Sequence, residues 1–112
     1  MIVGSGIVEL LIAQSRSLKE KRSVLKSILK RTQNEFNISI AEIGDNDLWG
    51  RARLGFSMVG NDKRLIDAKI NHMLKFIESM NLAEIVNAKI EMIGMSDELP
   101  PVQYEEEKYD II

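Results

Sequence analysis

"FNISIAEIGDNDLWGRARLGFSMVG", residues 36 to 60, decides how this chain folds. Its first part alternates Phe36, Ile38, Ile40 and Glu42 against Ser39, Ala41 and Ile43, and its second alternates Ala52, Leu54, Phe56 and Met58 against Arg53, Gly55, Ser57 and Val59. A period of two with one apolar side marks a strand that buries one face and wets the other. Gly44, Asp45, Asn46, Asp47 and Gly50 between them are turn residues, so two half-buried strands joined by a turn are expected.

Upstream, Ile2 to Ile12 is rich in Val, Ile and Leu and reads as a first strand. Gly4 and Gly6 within it suggest a bulge or a close backbone approach. Ser17 with Glu20 three residues on is a capping-box pattern and starts a helix. Stepping about 100° per residue puts Leu18, Val24, Leu25, Ile28 and Leu29 on its buried face. Downstream, a second helix runs from Asn61 or Asp62 to about Met80, with Ile66, Ile70, Met73, Leu74 and Ile77 on one side. "AEIVNAKIEMIG" is then a last strand, with Val86, Ala88, Ile90 and Met92 facing one way.

The order strand, helix, strand, strand, helix, strand is satisfied most simply by the α+β ferredoxin-like βαββαβ fold. Right-handed crossovers then place two helices on one face of a four-stranded antiparallel sheet. Length and composition agree with one domain, since 112 residues at 45% hydrophobic and 29% charged can bury a core. Residues 1 to 95 are expected to form it. Residues 96 to 112 read as an acidic, proline-containing C-terminal tail.

Net charge is −2, but it is unevenly spread. Residues 16 to 31 carry seven basic side chains against Glu20 alone, and residues 97 to 112 carry six acidic ones against Lys108. The tail therefore reads either as a solubilising segment or as a mask for the basic helix, held by Tyr104, Tyr109, Ile111 and Ile112. Within the helix, Lys19, Arg22, Lys26 and Lys30 gather on a stripe about 80° wide. Such a row suits successive phosphates, positioning nucleic acid without reading its sequence. A solvated face normally intersperses both signs, and this one does not. Lys21 is the exception, pointing into the apolar sector. A charge heading into a core needs a partner, and Glu42, at the same end of the sheet and on the helix-facing alternation, is the expected one.

"SLKEKRSVLKSIL", "FNISIAEIGDNDLWGRARLGFSMVGND" and the opening "MIVG" together resemble the YlxP-like family, a bacterial domain of unknown function, over roughly residues 1 to 93. The resemblance implies a ferredoxin-like fold. Because the family's genes often lie among those for translation initiation and ribosome maturation, it also implies an RNA or ribosome context. It brings no catalytic role to any residue, and the acidic tail is not part of the pattern.

Other motifs reduce to turn or surface chemistry. "DNDLWG" begins like a calcium loop, but Trp49 takes the third liganding position and Phe56 stands where a bidentate glutamate is needed. Trp49 beside Arg51 is a candidate partner anchor, or else a ring lapped onto its own domain. With no cysteine and His72 the lone histidine, no hydrolytic triad, disulfide or ordinary zinc site is expected. Glu9, Glu42, Asp45 and Asp47 carry no spacing that selects a reaction. The outward set Arg53, Gly55 and Ser57 offers no ring for a base to stack on. No apolar run spans a membrane and the N-terminus lacks a signal-peptide pattern, so a cytoplasmic location and no membrane partner are expected.

The expected function is thus non-catalytic, without metal or cofactor: a binding module for RNA or a ribosomal particle acting through the first helix. The alternative is a structural protein that self-associates, as a homodimer or higher homo-oligomer, through a sheet edge or the open sheet face.

Overall fold

The computed structural model describes residues 1 to 102. Six elements follow in order: β1 (Ile2–Leu11), α1 (Leu18–Glu35), β2 (Ser39–Gly44), β3 (Arg51–Gly60), α2 (Lys63–Ser79) and β4 (Glu84–Gly94). The strands form one antiparallel sheet in the order β2-β3-β1-β4, and both helices lie on one face. This is the ferredoxin-like arrangement.

Register explains which side is apolar. Leu10 faces Ala52, Val8 faces Leu54, Gly6 faces Phe56 and Gly4 faces Met58 across β1 and β3, while Ile40 of β2 faces Phe56. These side chains pack against Leu25 and Ile28 of α1 and Ile66, Ile70, Met73 and Ile77 of α2. The helices start where local chemistry caps them. Ser17 Oγ accepts from the Glu20 amide, and Asp62 accepts from the Arg64 amide. Glu20 Oε2 accepts from the Arg16 amide at 2.6 Å, one residue before the cap, so the reciprocal bond of a capping box reaches the preceding amide instead.

Two local expectations are corrected or resolved. In β4, Glu9 of β1 pairs with Asn87 but Leu10 pairs with Ile85, so Val86 is a bulge residue with no partner on β1. One extra residue reverses the side-chain alternation. Ile85 therefore packs against the core, while Val86, expected on one side with Ala88, Ile90 and Met92, leaves that row and is 49% exposed. Gly4 and Gly6 serve close approach, since the bulge lies in the partner strand. A Cβ on Gly4 would sit 2.5 Å from Ile66 Cγ2, and one on Gly6 would sit 2.6 Å from Phe56 Cζ and 2.8 Å from the Lys89 carbonyl oxygen.

Beyond Gly94 the Met95 amide donates to the Met1 carbonyl at 2.8 Å, and the N-terminal ammonium meets Asp97 Oδ1 at 2.6 Å. The tail residues Tyr104, Glu105, Glu106, Glu107, Lys108, Tyr109, Asp110, Ile111 and Ile112 lie outside the described residues. Among the described residues, no helix is long and apolar enough to cross a membrane.

The glycine contacts set a stability contrast. Gly6→Ala should cost about 1–3 kcal/mol through overpacking against Phe56 and the β4 backbone. Gly50→Ala, where a Cβ would meet nothing within 4 Å, should change stability by less than about 0.5 kcal/mol. Urea midpoints of the two variants check this; equal midpoints would show that β1 yields at Gly6 without strain.

Candidate nucleic-acid interface

The rotation of α1 about its axis determines what it presents. Lys21, Leu25, Ile28 and Thr32 are its buried residues, which places Lys21 at the centre of the inward sector. Thr32 is tolerated there because its hydroxyl donates to the Ile28 carbonyl at 2.7 Å.

Lys21 is 1% exposed. Its Nζ lies 3.1 Å from Glu42 Oε2 and donates to the Asp45 carbonyl. The Glu42 side chain is 24% exposed, so its carboxylate keeps some access to water. Oε2 itself is enclosed and accepts no well-directed hydrogen bond, so the contact is chiefly charge on charge. Asp45 adopts a left-handed φ of 59° and its carbonyl also accepts from the Leu48 amide at 3.0 Å, closing the turn. One ammonium thus joins α1, the end of β2 and the β2–β3 turn.

With Lys21 inward, the basic stripe falls along the flank of α1 that faces β2. Arg22, Lys26 and Lys30 line a groove of about 550 Å³ with Leu25, Leu29, Gln33 and Glu42. Gln33 Nε2 donates to the Ile40 carbonyl at 3.4 Å and bridges helix to strand. Lys19 shares the stripe but lies outside the groove lining. All four basic residues are exposed, and among the described residues none lies in a salt bridge. Glu42, the one acid at the groove, is already engaged by Lys21.

The remaining candidates are dispersed. Trp49 is 50% exposed in the turn, whose Gly50 carbonyl accepts from the Ile12 amide at 2.8 Å, and Arg51 is exposed at the start of β3. Glu9 meets Arg53 at 3.6 Å on the open sheet face and accepts from Asn87. His72 is exposed with its ring edge-on to Phe36, centroids 5.2 Å apart. Among the described residues, no three His, Asp or Glu side chains gather to hold a metal. Sequence reading missed Gln33, Leu25 and Leu29 as groove walls, because two of them count as ordinary core positions until β2 is in place.

The description "Protein of unknown function (DUF503)" matches residues 3–90. "Uncharacterized protein YlxP" of Bacillus subtilis (strain 168) is 42% identical over 78 residues, covering 70% of this chain and 85% of that protein. Among solved structures, the de novo designed protein Foldit4 is similar at a TM-score of 0.48 and 14% identity, covering 86% of this chain and all of that one. A dimeric ferredoxin-like protein from an uncultured marine organism is similar at a TM-score of 0.47 and 8% identity, covering 86% and 99%.

The Lys21 site predicts an asymmetric double-mutant cycle. Glu42→Gln strands a buried ammonium and should cost roughly 3 kcal/mol, whereas Lys21→Met leaves a carboxylate with partial access to water and should cost less. The double variant should be more stable than the sum of losses implies by at least about 1 kcal/mol. Losses that add within about 0.5 kcal/mol in urea unfolding would mean that the two charges do not act as a pair.

Proposed function

The chain belongs to the DUF503 family of proteins of unknown function, and we propose that it is a non-catalytic module that binds RNA, free or within a ribosomal particle, through the groove between α1 and β2. The observation that carries this reading is the convergence of Arg22, Lys26 and Lys30 on one groove. Residues four apart on a helix rise about 6 Å between them, so three cations follow one line along the groove. Their attraction for a phosphate chain is not spent on carboxylates of the described residues. Lys19 extends the same stripe by a further turn at its N-terminal end.

The mode of binding follows from what surrounds the cations. Neither the groove, walled by Leu25, Leu29 and Gln33, nor the open sheet face with Ser5, Ser57, Gly55, Glu9 and Arg53 carries an aromatic ring, so the module holds the backbone and does not stack bases on its sheet. The translation context implied by the family resemblance favours RNA over DNA. A purely solvated face would bear the same charges, and ionic strength separates the two.

For single-stranded RNA, four phosphate contacts should give a log affinity against log salt slope near about −3. Replacing Lys19, Arg22, Lys26 and Lys30 by Gln should weaken binding broadly across sequences, with the circular-dichroism melt preserved because all four are exposed. Lys19→Gln alone should cost least, since it lies outside the groove lining. Fluorescence anisotropy with labelled oligonucleotides reads all three. Absence of binding at about 50 mM salt, or a slope near zero, would reject the proposal.

A further inference from the structure

β4 is the outermost strand on its side of the sheet, and among the described residues no strand lies beyond it. Which backbone groups it leaves unpaired can be assigned. The Met95 amide donates to the Met1 carbonyl and the Met1 ammonium donates to the Met95 carbonyl, so Met95 turns its polar groups toward β1. The β1–β4 pairing is regular from Ile2↔Gly94 to Glu9↔Asn87. Orientation alternates along an antiparallel ladder. Ile93, Glu91 and Lys89 therefore face β1 with their backbone, and Met92, Ile90 and Ala88 offer theirs to the free edge.

The side chains on this edge are equally ordered. Ile90 lies opposite Gly6 on the helix side and is still 38% exposed. Lys89 and Glu91 lie on the open face, 73% and 61% exposed and 3.4 Å apart. Natural edges are blunted by bulges, prolines or inward charges. Here the bulge protects only the Val86 end, and Ala88 to Gly94 remains straight.

We propose that β4 pairs antiparallel with β4 of a second copy, about a twofold axis passing through Ile90. This axis sets Lys89 opposite the partner's Glu91 and Glu91 opposite the partner's Lys89, in the close, non-hydrogen-bonded positions. Ile90 meets its own symmetry mate and Ala88 meets the partner's Met92, which continues the apolar layer beneath the helices. Other registers do worse. An axis at Lys89 or at Glu91 puts like charges face to face, one at Ala88 runs into the bulge, and one at Met92 leaves Lys89 without a carboxylate.

The surface is on the opposite edge of the sheet from the α1–β2 groove, so it is tested independently of RNA binding. Sedimentation equilibrium of the full chain should give twice the 12.7 kDa protomer mass at concentrations above about 10 µM. Lys89→Glu should weaken the dimer by about tenfold or more, because symmetry repeats the repulsion, and Lys89→Glu with Glu91→Lys should restore it. Both side chains are well exposed, and circular dichroism checks that the variants stay folded. Ile90→Cys places the only thiol of a cysteine-free chain on the axis, where a Cα separation of about 5.5 Å suits a disulfide, so mild oxidation should cross-link it. Val59→Cys, exposed on β3, should not cross-link. A monomeric mass at about 100 µM, or a dimer indifferent to Lys89→Glu, would overturn the proposal. A loss that the charge swap leaves unrestored would overturn the register.

Discussion

A buried ammonium must be neutralised, and in this protein doing so orients everything along one side of the sheet. Lys21 sits at the middle of the inward sector of α1, where an apolar residue would be the simpler choice. Its contacts to Glu42 and to the Asp45 carbonyl fix the helix against β2 at one rotation and tie the following turn to the same point. Rolling α1 by even a third of a turn would carry the ammonium away from both partners and leave an unpaired buried charge, at a cost of several kcal/mol. The rotation that satisfies Lys21 is also the one that lays Arg22, Lys26 and Lys30 along the groove. Packing and surface charge thus share one constraint.

That constraint was partly legible in the sequence. The helical spacing alone sends Lys21 inward, and the alternation of β2 sends Glu42 toward the helices, so the pair follows once the topology is given. The strands of residues 36 to 60 were legible for the same reason, because each buries one face only and its sequence alternates with a period of two, although the pairing shifts register between Glu42 and Gly44. β4 was harder. Ile85 and Val86 are adjacent β-branched residues, and either can face the core until pairing with β1 decides between them. A bulge is a property of two strands, so no pattern within one strand announces it. Gly6 shows the converse difficulty. Lacking a side chain, it is compatible with a bulge or with close approach, and only the nearness of Phe56 distinguishes them.

The groove was legible as a stripe but not as a cavity. Lys19, Arg22, Lys26 and Lys30 share one direction by helical geometry, yet their relation to β2 depends on where the crossover places that strand. Once it is placed, Gln33 reaches the Ile40 carbonyl and Leu29 becomes a wall, which separates Arg22, Lys26 and Lys30 from Lys19. Trp49 has the opposite history. Its sequence neighbourhood of turn residues said little about exposure, whereas the bond from the Ile12 amide to the Gly50 carbonyl holds the turn at the end of the sheet with Trp49 half-exposed.

Two helices on one face leave a ferredoxin-like sheet with three uncommitted borders: the β2 edge, the β4 edge and the open face. The charges are divided among them. The β2 border carries the unneutralised cations, while the β4 border carries Lys89 and Glu91, a self-complementary pair that has little reason to attract polyanions. A twofold axis through Ile90 would run perpendicular to the sheet and keep all four helices on one side. Eight strands would then separate the two β2 edges by seven spacings of about 4.8 Å, or roughly 34 Å. Both basic grooves would lie on the helix side of the sheet, at its two opposite edges. An RNA too short to bridge it would meet each groove at the intrinsic affinity, whereas a longer one held by the first groove would meet the second at a high effective concentration. Weak, sequence-tolerant phosphate contacts gain most from such an arrangement, because each groove alone offers few of them.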